Sequence, residues 1–253
     1  MRIAGAVALV TGASSGVGRA TACALAGRGA TLLLHGRDRT ALSEVADRTG
    51  GSVLIQELAE PGAARRLADQ VSAAGTGVVD ILVANAGAGF AGEFSTMDED
   101  APERMIAANL TAPVELTRLV LPGMLERGRG SIVFVTSIAG RAGVAGEAVY
   151  AATKAGLDIF AESLRLELRG TGVDVGVLVP GVVATRFFDR RGRPYGRAKP
   201  RPLPAEAAAA ALVRIIETGR AETYLPGWLR LPVAVRSIAP GLYRRLAGRF
   251  GGS

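Results

Sequence analysis

Tyr150 and Lys154 are the pair of residues in this sequence best suited to acid–base chemistry. Four residues are close to one helical turn, so in a helix both side chains lie on one face, with β-carbons about 5–6 Å apart. A neighbouring ammonium favours the phenolate, and we expect Lys154 to lower the pKa of Tyr150 from its ordinary value of about 10. Such a tyrosine can donate a proton to an alkoxide, or accept one from an alcohol, near neutral pH.

Two observations favour this interpretation over a chance contact between surface side chains. The chain has 30 basic residues, of which only Lys154 and Lys199 are lysines. The pair also follows a strand-like run that ends at Ser137, and α/β folds bind their ligands at the carboxyl ends of strands. Ser137 could instead only cap the end of that strand.

A glycine-rich turn near the start of the chain has the features of a phosphate site. Thr11–Gly18 reads T-G-A-S-S-G-V-G between an apolar run and a helical segment. Glycines allow a sharp turn and a close approach of the backbone to a phosphate, and the helix N-terminus presents free N–H groups to the anion. We therefore expect cofactor contacts from Gly12, Ser14, Ser15, Gly16, Val17 and Gly18.

The end of the second strand-like run indicates which dinucleotide would bind. A carboxylate there would bind the ribose hydroxyl of NAD, but the position holds Gly36, followed by Arg37. The guanidinium of Arg37 is a planar fork that suits the 2′-phosphate of NADP. The sequence therefore favours NADP(H) over NAD(H). Arg37 and Asp38 could also simply begin the next helix, with Asp38 as its N-cap, and the two interpretations are compatible.

Apolar strand-length runs alternate with helical patterns along the chain. The runs lie at 6–11, 31–36, 53–56, 81–85, 131–137 and 173–179, with a short last one at 223–225. The helical patterns lie at 16–27, 40–49, 61–74 with a proline in the first turn, 102–127 interrupted at Pro113, 149–168 and 206–218. This rhythm predicts a doubly wound α/β fold with a mostly parallel sheet and helices on both faces.

Length and composition limit the classes of protein and site. At 253 residues and 49% hydrophobic content, we expect one catalytic domain over 1–225, with a variable lid at about 182–203, and a basic amphipathic extension over 226–253. Cys23 is the only cysteine and His35 the only histidine, so disulfides, cysteine zinc sites and multi-histidine metal sites are excluded. We expect no metal. The opening apolar run suits a buried strand better than a signal peptide, and a cytoplasmic protein is expected.

Taken together, the motifs resemble the short-chain dehydrogenase/reductase family over nearly the whole chain. The matching pieces are Thr11–Gly18, Asn85-Ala86-Gly87, Asn109, Ser137, Tyr150 with Lys154, and Pro180-Gly181 with Thr185. The resemblance implies a Rossmann fold and an oxidoreductase that uses NAD(P). Two positions depart from the family pattern: Ala84 stands where another asparagine is frequent, and Glu57-Leu58 stands where an aspartate frequently contacts the adenine.

The resemblance also implies a role for each matching residue. Tyr150 would be the general acid/base, and Ser137 would hydrogen-bond the substrate oxygen. Lys154 would hold the nicotinamide ribose and lower the pKa of Tyr150, while Asn109 would anchor a water of the proton relay. The remaining cofactor contacts would come from Arg37, Glu57, Leu58, Asn85, Ala86, Gly87, Tyr150, Lys154, Pro180, Gly181, Val183 and Thr185. Asn109 could instead bond backbone across a kink near Pro113.

The net charge of +7 is concentrated near the C-terminus, because residues 186–249 hold 14 basic and 4 acidic side chains. The segment 186–201 is either a solvated loop or an electropositive rim that attracts an anionic group, with Phe187 and Phe188 as an apolar wall. The tail from Pro226 to Phe250 could cover the pocket or a subunit interface, or lie on an anionic membrane surface. We expect no specific nucleic-acid binding.

These features predict an NADP(H)-dependent enzyme that interconverts a carbonyl and a secondary alcohol with Ser137, Tyr150, Lys154 and Asn109. The substrate would be a small molecule, either lipophilic or a 3-oxoacyl thioester, and family habit suggests a homodimer or homotetramer. The alternative is a protein that senses NADPH and regulates a partner without turnover.

Overall fold

Seven parallel strands form one sheet in the computed structural model, which describes residues 1–75, 77–193, 195–196 and 200–250, with side chains up to residue 245. The strand order is β3-β2-β1-β4-β5-β6-β7. The strands are β1 (Val7–Thr11), β2 (Thr31–Gly36), β3 (Ser52–Ile55), β4 (Ile81–Ala84), β5 (Gly130–Val135), β6 (Val173–Pro180) and β7 (Glu222–Leu225). Helices cover both faces, which confirms the predicted fold class.

Strand order reverses between β1 and β4, and this reversal sets the position of the ligand cleft. β1 pairs with β2 on one side, through Val10 and Leu34, and with β4 on the other, through Val10 and Val83. The chain therefore runs outward to β3 and then returns to the centre. At such a switch point, the loops that follow the two central strands turn away from each other and leave a crevice.

Eleven α-helices lie in the described residues. They are α1 (Gly16–Ala26), α2 (Arg39–Thr49), α3 (Ala63–Ala73), α4 (Ala101–Ile106), α5 (Ala112–Glu126), α6 (Ile138–Ala142), α7 (Ala148–Glu167), α8 (Phe187–Arg190), α9 (Ala205–Thr218), α10 (Arg230–Ile238) and α11 (Pro240–Phe250). One core packs α1, α2 and α9 on a face of the sheet, and the other packs α3, α5 and α7 on the opposite face. The apolar strands are buried on both sides as a result.

Several boundaries differ from the sequence prediction for local reasons. The segment 102–127 is two α-helices joined by a π-helical turn, Ala107–Thr111, so the interruption precedes Pro113. Pro61 lies outside the first turn of α3, because Gly62 adopts a left-handed φ of 71° and the helix begins after it. The sheet is wholly parallel. The short helices α6 and α8 have too few residues to give a periodic pattern.

The segment predicted to be a lid leaves and rejoins the body at adjacent points. Val183 and Leu203 form an isolated parallel bridge, and the Leu203 N–H donates to the Val182 carbonyl at 2.9 Å. Pro194 and residues 197–199, which belong to the predicted lid, lie outside the described residues, as do the side chains of 246–250 in the tail. Among the helices that are described, none combines the length and apolarity needed to cross a bilayer.

Candidate active site

A cleft of about 1810 Å³ opens along the carboxyl ends of the central strands. It brings together nearly all the residues that the sequence analysis selects. Its walls include Gly12, Ser14, Ser15, Gly16, Val17, Arg37, Glu57, Leu58, Asn85, Ala86, Gly87, Ser137, Tyr150, Lys154, Pro180, Gly181, Val183 and Thr185. Gly18 and Asn109 lie behind the wall and act on it indirectly.

The glycine turn packs too closely for side chains and leaves the first turn of α1 open to an anion. Gly16 has a left-handed φ of 53°, and a β-carbon on Gly18 would lie 2.2 Å from the Gly12 carbonyl oxygen. No side chain caps α1, although Ser15 stands at its N-cap. The N–H groups of this turn and the positive end of the helix dipole therefore suit a phosphate.

Asn85 holds this turn against the neighbouring strand. Its side-chain amide donates to the Thr11 carbonyl at 2.9 Å, and its backbone N–H donates to the Thr11 hydroxyl at 3.0 Å. The Ala86 N–H donates to the same hydroxyl at 3.0 Å. The amide of Asn85 thus orders the end of β1.

At the outer end of the cleft, Arg37 is already paired with a carboxylate. Its guanidinium donates to Glu57 at 2.8 Å, and its side chain is 64% exposed. Burial would raise the pKa of Glu57, but the hydrogen bonds from Arg37 and the Ala59 N–H outweigh it, and the pKa is lowered. A 2′-phosphate would therefore share Arg37 with Glu57, a competition that the motif alone does not reveal.

His35 supplies an unsatisfied acceptor at the same end. Its Nε2 lies 2.9 Å from the Gln56 carbonyl and must donate to it, which leaves Nδ1 as a bare acceptor. Nδ1 is buried and has no partner among the described residues. Burial lowers the pKa of His35 to about 4, so the ring is neutral at pH 7. The unpaired Nδ1 of His35 and the uncapped N-terminus of α1 therefore fit a nucleotide, which carries both hydrogen-bond donors and phosphates.

The acid–base residues converge at the inner end of the cleft. Tyr150 and Lys154 lie on the first turns of α7, and Ser137 caps α6 by accepting from the Ala139 N–H at 3.1 Å. Ser137 therefore begins a helix; it does not merely end a strand. The Lys154 ammonium donates to the Val135 carbonyl at 2.9 Å and lies 5.8 Å from the centre of the Tyr150 ring.

The pKa of Tyr150 moves opposite to the direction expected from the spacing. Burial raises it to about 12, and hydrogen bonding with Ser137 opposes that shift without cancelling it. Burial also lowers the pKa of Lys154 to about 8, partly offset by the Asp158 carboxylate. The expectation that the ammonium makes Tyr150 acidic is therefore wrong for this structure: desolvation dominates, and the phenol remains protonated at neutral pH.

Asn109 lies in the π-helical turn, directly behind the wall of the cleft. Its Oδ1 accepts from the Ala88 N–H at 2.8 Å, and its Nδ2 donates to the Ala88 carbonyl at 2.8 Å and to Thr153 Oγ1 at 3.2 Å. The side chain is fully buried and both of its N–H groups are engaged. It therefore ties the loop after β4 to α7, and these hydrogen bonds do not cross a kink near Pro113.

A family model for short chain dehydrogenases matches residues 6–195. The chain belongs to the short-chain dehydrogenase/reductase family. It is accordingly an oxidoreductase that acts on CH–OH or carbonyl groups with a nicotinamide cofactor. The short-chain dehydrogenase/reductase motifs named above all fall on, or directly behind, the wall of the cleft.

Curated relatives extend the match toward the C-terminus. An uncharacterized oxidoreductase of Myxococcus xanthus is 35% identical over 237 residues, 92% of each chain. The 3-oxoacyl-[acyl-carrier-protein] reductase FabG of Escherichia coli is 35% identical over 187 residues, 73% of this chain and 76% of that protein. The ketoacyl reductase HetN of Nostoc sp. is 45% identical over 108 residues, which are 43% of this chain but only 38% of that relative.

Two solved structures resemble the whole fold. A short-chain dehydrogenase from Sphingobium yanoikuyae in complex with NADPH has a TM-score of 0.80 and 29% identity, covering 95% of this chain and 93% of that one. A short-chain dehydrogenase/reductase from Burkholderia phymatum in complex with NAD has a TM-score of 0.85 and 26% identity, covering 96% of each chain.

The structure adds an ion pair beside Tyr150 that the sequence analysis did not select. Arg191, next to the C-terminus of α8, pairs with Glu147 at the N-cap of α7, and both side chains are largely buried. Phe187 of the same lid helix contacts the Tyr150 ring, with centroids 5.4 Å apart. Glu147 precedes Tyr150 by three residues, a helical spacing that could have drawn attention to it; nothing in the sequence links it to Arg191.

A second ion pair fastens the helix of Ser137 to the helix of Tyr150. Arg141 on α6 forms two hydrogen bonds to Asp158 on α7, at 2.6 and 3.0 Å, and a further contact of 2.8 Å to Glu222. A β-carbon on Gly140 would lie 2.7 Å from the Ala155 nitrogen, so the two helices touch through their backbones. This contact positions Ser137 relative to Tyr150.

Proposed function

We propose that this short-chain dehydrogenase/reductase is an NADP(H)-dependent carbonyl reductase that can also run in reverse as an alcohol dehydrogenase. The observation that carries the proposal is the convergence of Ser137, Tyr150 and Lys154 at one end of a cleft whose other end holds the glycine turn and Arg37. A binding protein that only senses NADPH has no need for this set.

In the proposed reaction, the protein orients the substrate and moves one proton. Ser137 and Tyr150 both line the cleft, and a carbonyl oxygen bound there would accept hydrogen bonds from their hydroxyl groups. Tyr150 donates its proton as the alkoxide develops, and its high pKa keeps that proton available at neutral pH. A bound nicotinamide supplies the hydride. The Lys154 ammonium would bind the nicotinamide ribose.

The wall beside Tyr150 is apolar, which supports a lipophilic substrate. Phe90, Met97, Val144 and Phe187 pack against the apolar cluster that contains Tyr150, and all four line the cleft. The lid adds Arg190, Arg191 and Arg193 to the same cleft, so an anionic group at the far end of an apolar substrate would meet positive charge. A 3-oxoacyl thioester combines these two properties, and FabG is named for reducing such a thioester on acyl carrier protein.

The preference for NADP(H) rests on Arg37 and the absence of a carboxylate at Gly36. The similar structures hold NADPH in one case and NAD in the other, so the preference is a property to be measured on this chain. A homodimer or homotetramer is proposed because members of this family are often oligomeric.

The experiment is a screen of ketones, aldehydes and 3-oxoacyl thioesters with NADPH and with NADH, in wild type and in Tyr150→Phe. We expect turnover of at least one carbonyl class, faster with NADPH, and a loss of about 10²- to 10⁴-fold in the variant with NADPH binding retained. Turnover of Tyr150→Phe at a rate like that of wild type refutes the assignment. NADPH binding without turnover of any carbonyl favours the sensor.

A further inference from the structure

The C-terminal segment carries exposed apolar side chains within a region of unbalanced positive charge. After Glu222 the chain has five arginines and no acidic residue. This segment also holds four of the large hydrophobic side chains that are exposed in the described residues, namely Trp228, Leu231, Ile238 and Leu242. Ile238 is 85% exposed, and Leu231 is 68% exposed. Exposed apolar clusters of this kind mark interaction surfaces.

The orientation of the tail helices, α10 and α11, is fixed by contacts with the body. Val233 packs against the core, and the Tyr243 hydroxyl donates to the Ala142 carbonyl at 2.9 Å. Arg236 donates to the Arg141 carbonyl. Leu231 and Ile238 are seven residues apart and share one side of α10, on which Val233 does not lie. The apolar side chains therefore point outward because the opposite side is attached to the body.

Arginines border a cavity where the tail helices meet α6. This cavity, of about 460 Å³, is lined by Arg236, Arg244, Ser237, Tyr243, Ala142 and Pro240. Two guanidinium groups at one cavity suit a phosphate group, because their planar forks match its oxygen atoms. Arg245 is exposed beside them.

We propose that the tail helices dock on an anionic lipid surface. The exposed apolar side chains would enter the boundary between headgroups and acyl chains, while the exposed side chains of Arg244 and Arg245 contact lipid phosphates. Electrostatic repulsion favours an anionic lipid surface over a second copy of the chain as the partner of this surface. Two copies facing each other would bring together eight exposed arginines among the described side chains, Arg230, Arg236, Arg244 and Arg245 from each copy, with no carboxylate from either segment, whereas an anionic surface neutralises them.

The docked surface adjoins the mouth of the cleft. Trp228 and Pro232 line the same cleft as Tyr150, so a lipid surface at α10 lies next to the route by which a lipophilic molecule would enter. The docking itself does not depend on the proposed reaction, and it is tested without substrate.

The test is co-sedimentation of the full chain with vesicles of phosphatidylglycerol and phosphatidylcholine, compared with phosphatidylcholine alone. We expect binding only to the anionic vesicles, weakening as salt is raised. Arg244→Gln with Arg245→Gln should lower the partition coefficient about 25-fold. Leu231→Ser with Ile238→Ser should lower it about tenfold or more. The controls, Arg48→Gln with Arg65→Gln and Ile159→Ser, change exposed residues outside the tail and should bind like wild type.

Three results would overturn the proposal. They are absence of binding, equal binding to both vesicle compositions, and a fall in native mass in Leu231→Ser with Ile238→Ser while vesicle binding is unchanged. The last result would assign the surface to a second copy. Thermal unfolding and NADPH binding of each variant show that the body remains folded, so failure of docking is distinguishable from failure of the proposed reaction.

Discussion

Asp158→Asn removes the carboxylate that joins α6 to α7 and changes one oxygen to nitrogen. Asp158 is only 4% exposed and accepts both hydrogen bonds of the Arg141 fork. Burial opposes the charge on Arg141, but Asp158 outweighs it and raises the pKa of the guanidinium. In the variant, the half-buried guanidinium of Arg141 loses its closest partner and keeps Glu222 and the Tyr224 hydroxyl.

The expected cost to folding is about 3 kcal/mol, at the lower end of the range for breaking a buried ion pair, because Glu222 remains. For a chain of this length, that cost corresponds to a fall of about 6–12 °C in Tm. The matched control is Glu162→Gln on the same helix. Its carboxylate is 58% exposed and pairs with Arg165, so the expected cost is about 0–1 kcal/mol.

The same substitution should change the pH dependence of activity. Burial lowers the pKa of Lys154 and only Asp158 raises it, so removing Asp158 lowers the pKa further below about 8. The alkaline limb of the reduction rate should therefore move to lower pH in Asp158→Asn and stay in place in Glu162→Gln. Thermal unfolding and pH–rate profiles on the three proteins check both effects. If Asp158→Asn unfolds within about 0.5 kcal/mol of wild type and keeps the wild-type profile, the positioning argument is refuted.

Three further predictions follow from the site. Gly18→Ala should weaken NADPH binding about tenfold or more, because the added β-carbon would clash with the Gly12 carbonyl oxygen. Gly241→Ala places its β-carbon in open space and should bind NADPH like wild type. Fluorescence titration with NADPH measures both affinities. Arg37→Met should lower kcat/KM about 10- to 100-fold with NADPH and leave NADH unchanged; equal losses would remove Arg37 from cofactor selection. The reduction rate should fall with a midpoint near pH 8 as the Lys154 ammonium is lost. A limb that persists in Lys154→Arg, whose guanidinium does not titrate there, would contradict this origin.

Local patterns were sufficient to predict the fold and the position of the cleft. The strand runs are apolar because both faces of the sheet are covered, and the glycine turn is recognisable because its backbone cannot accept side chains. The spacing of Tyr150 and Lys154 correctly predicts that they share a helix face. These features depend on residues that are close together in the chain.

The electrostatics of the site could not be read in the same way. Spacing places an ammonium near Tyr150 but does not reveal that the phenol is buried, and burial determines the pKa. The pairing of Glu147 with Arg191 and of Arg141 with Glu222 depends on segments brought together only by the fold. Likewise, the ion pair between Glu57 and Arg37 forms because the fold places the ends of β2 and β3 side by side.

The central claim is that Tyr150 is a buried, protonated phenol that serves as the proton donor. Its ionisation can be isolated by ultraviolet difference titration of wild type against Tyr150→Phe, since tyrosinate absorbs differently from tyrosine. Burial raises the pKa of Tyr150 to about 12. Tyr150 should therefore contribute no tyrosinate absorbance up to about pH 10, and the two proteins should give the same tyrosinate signal over that range. An extra phenolate in wild type that appears near neutral pH would contradict the account.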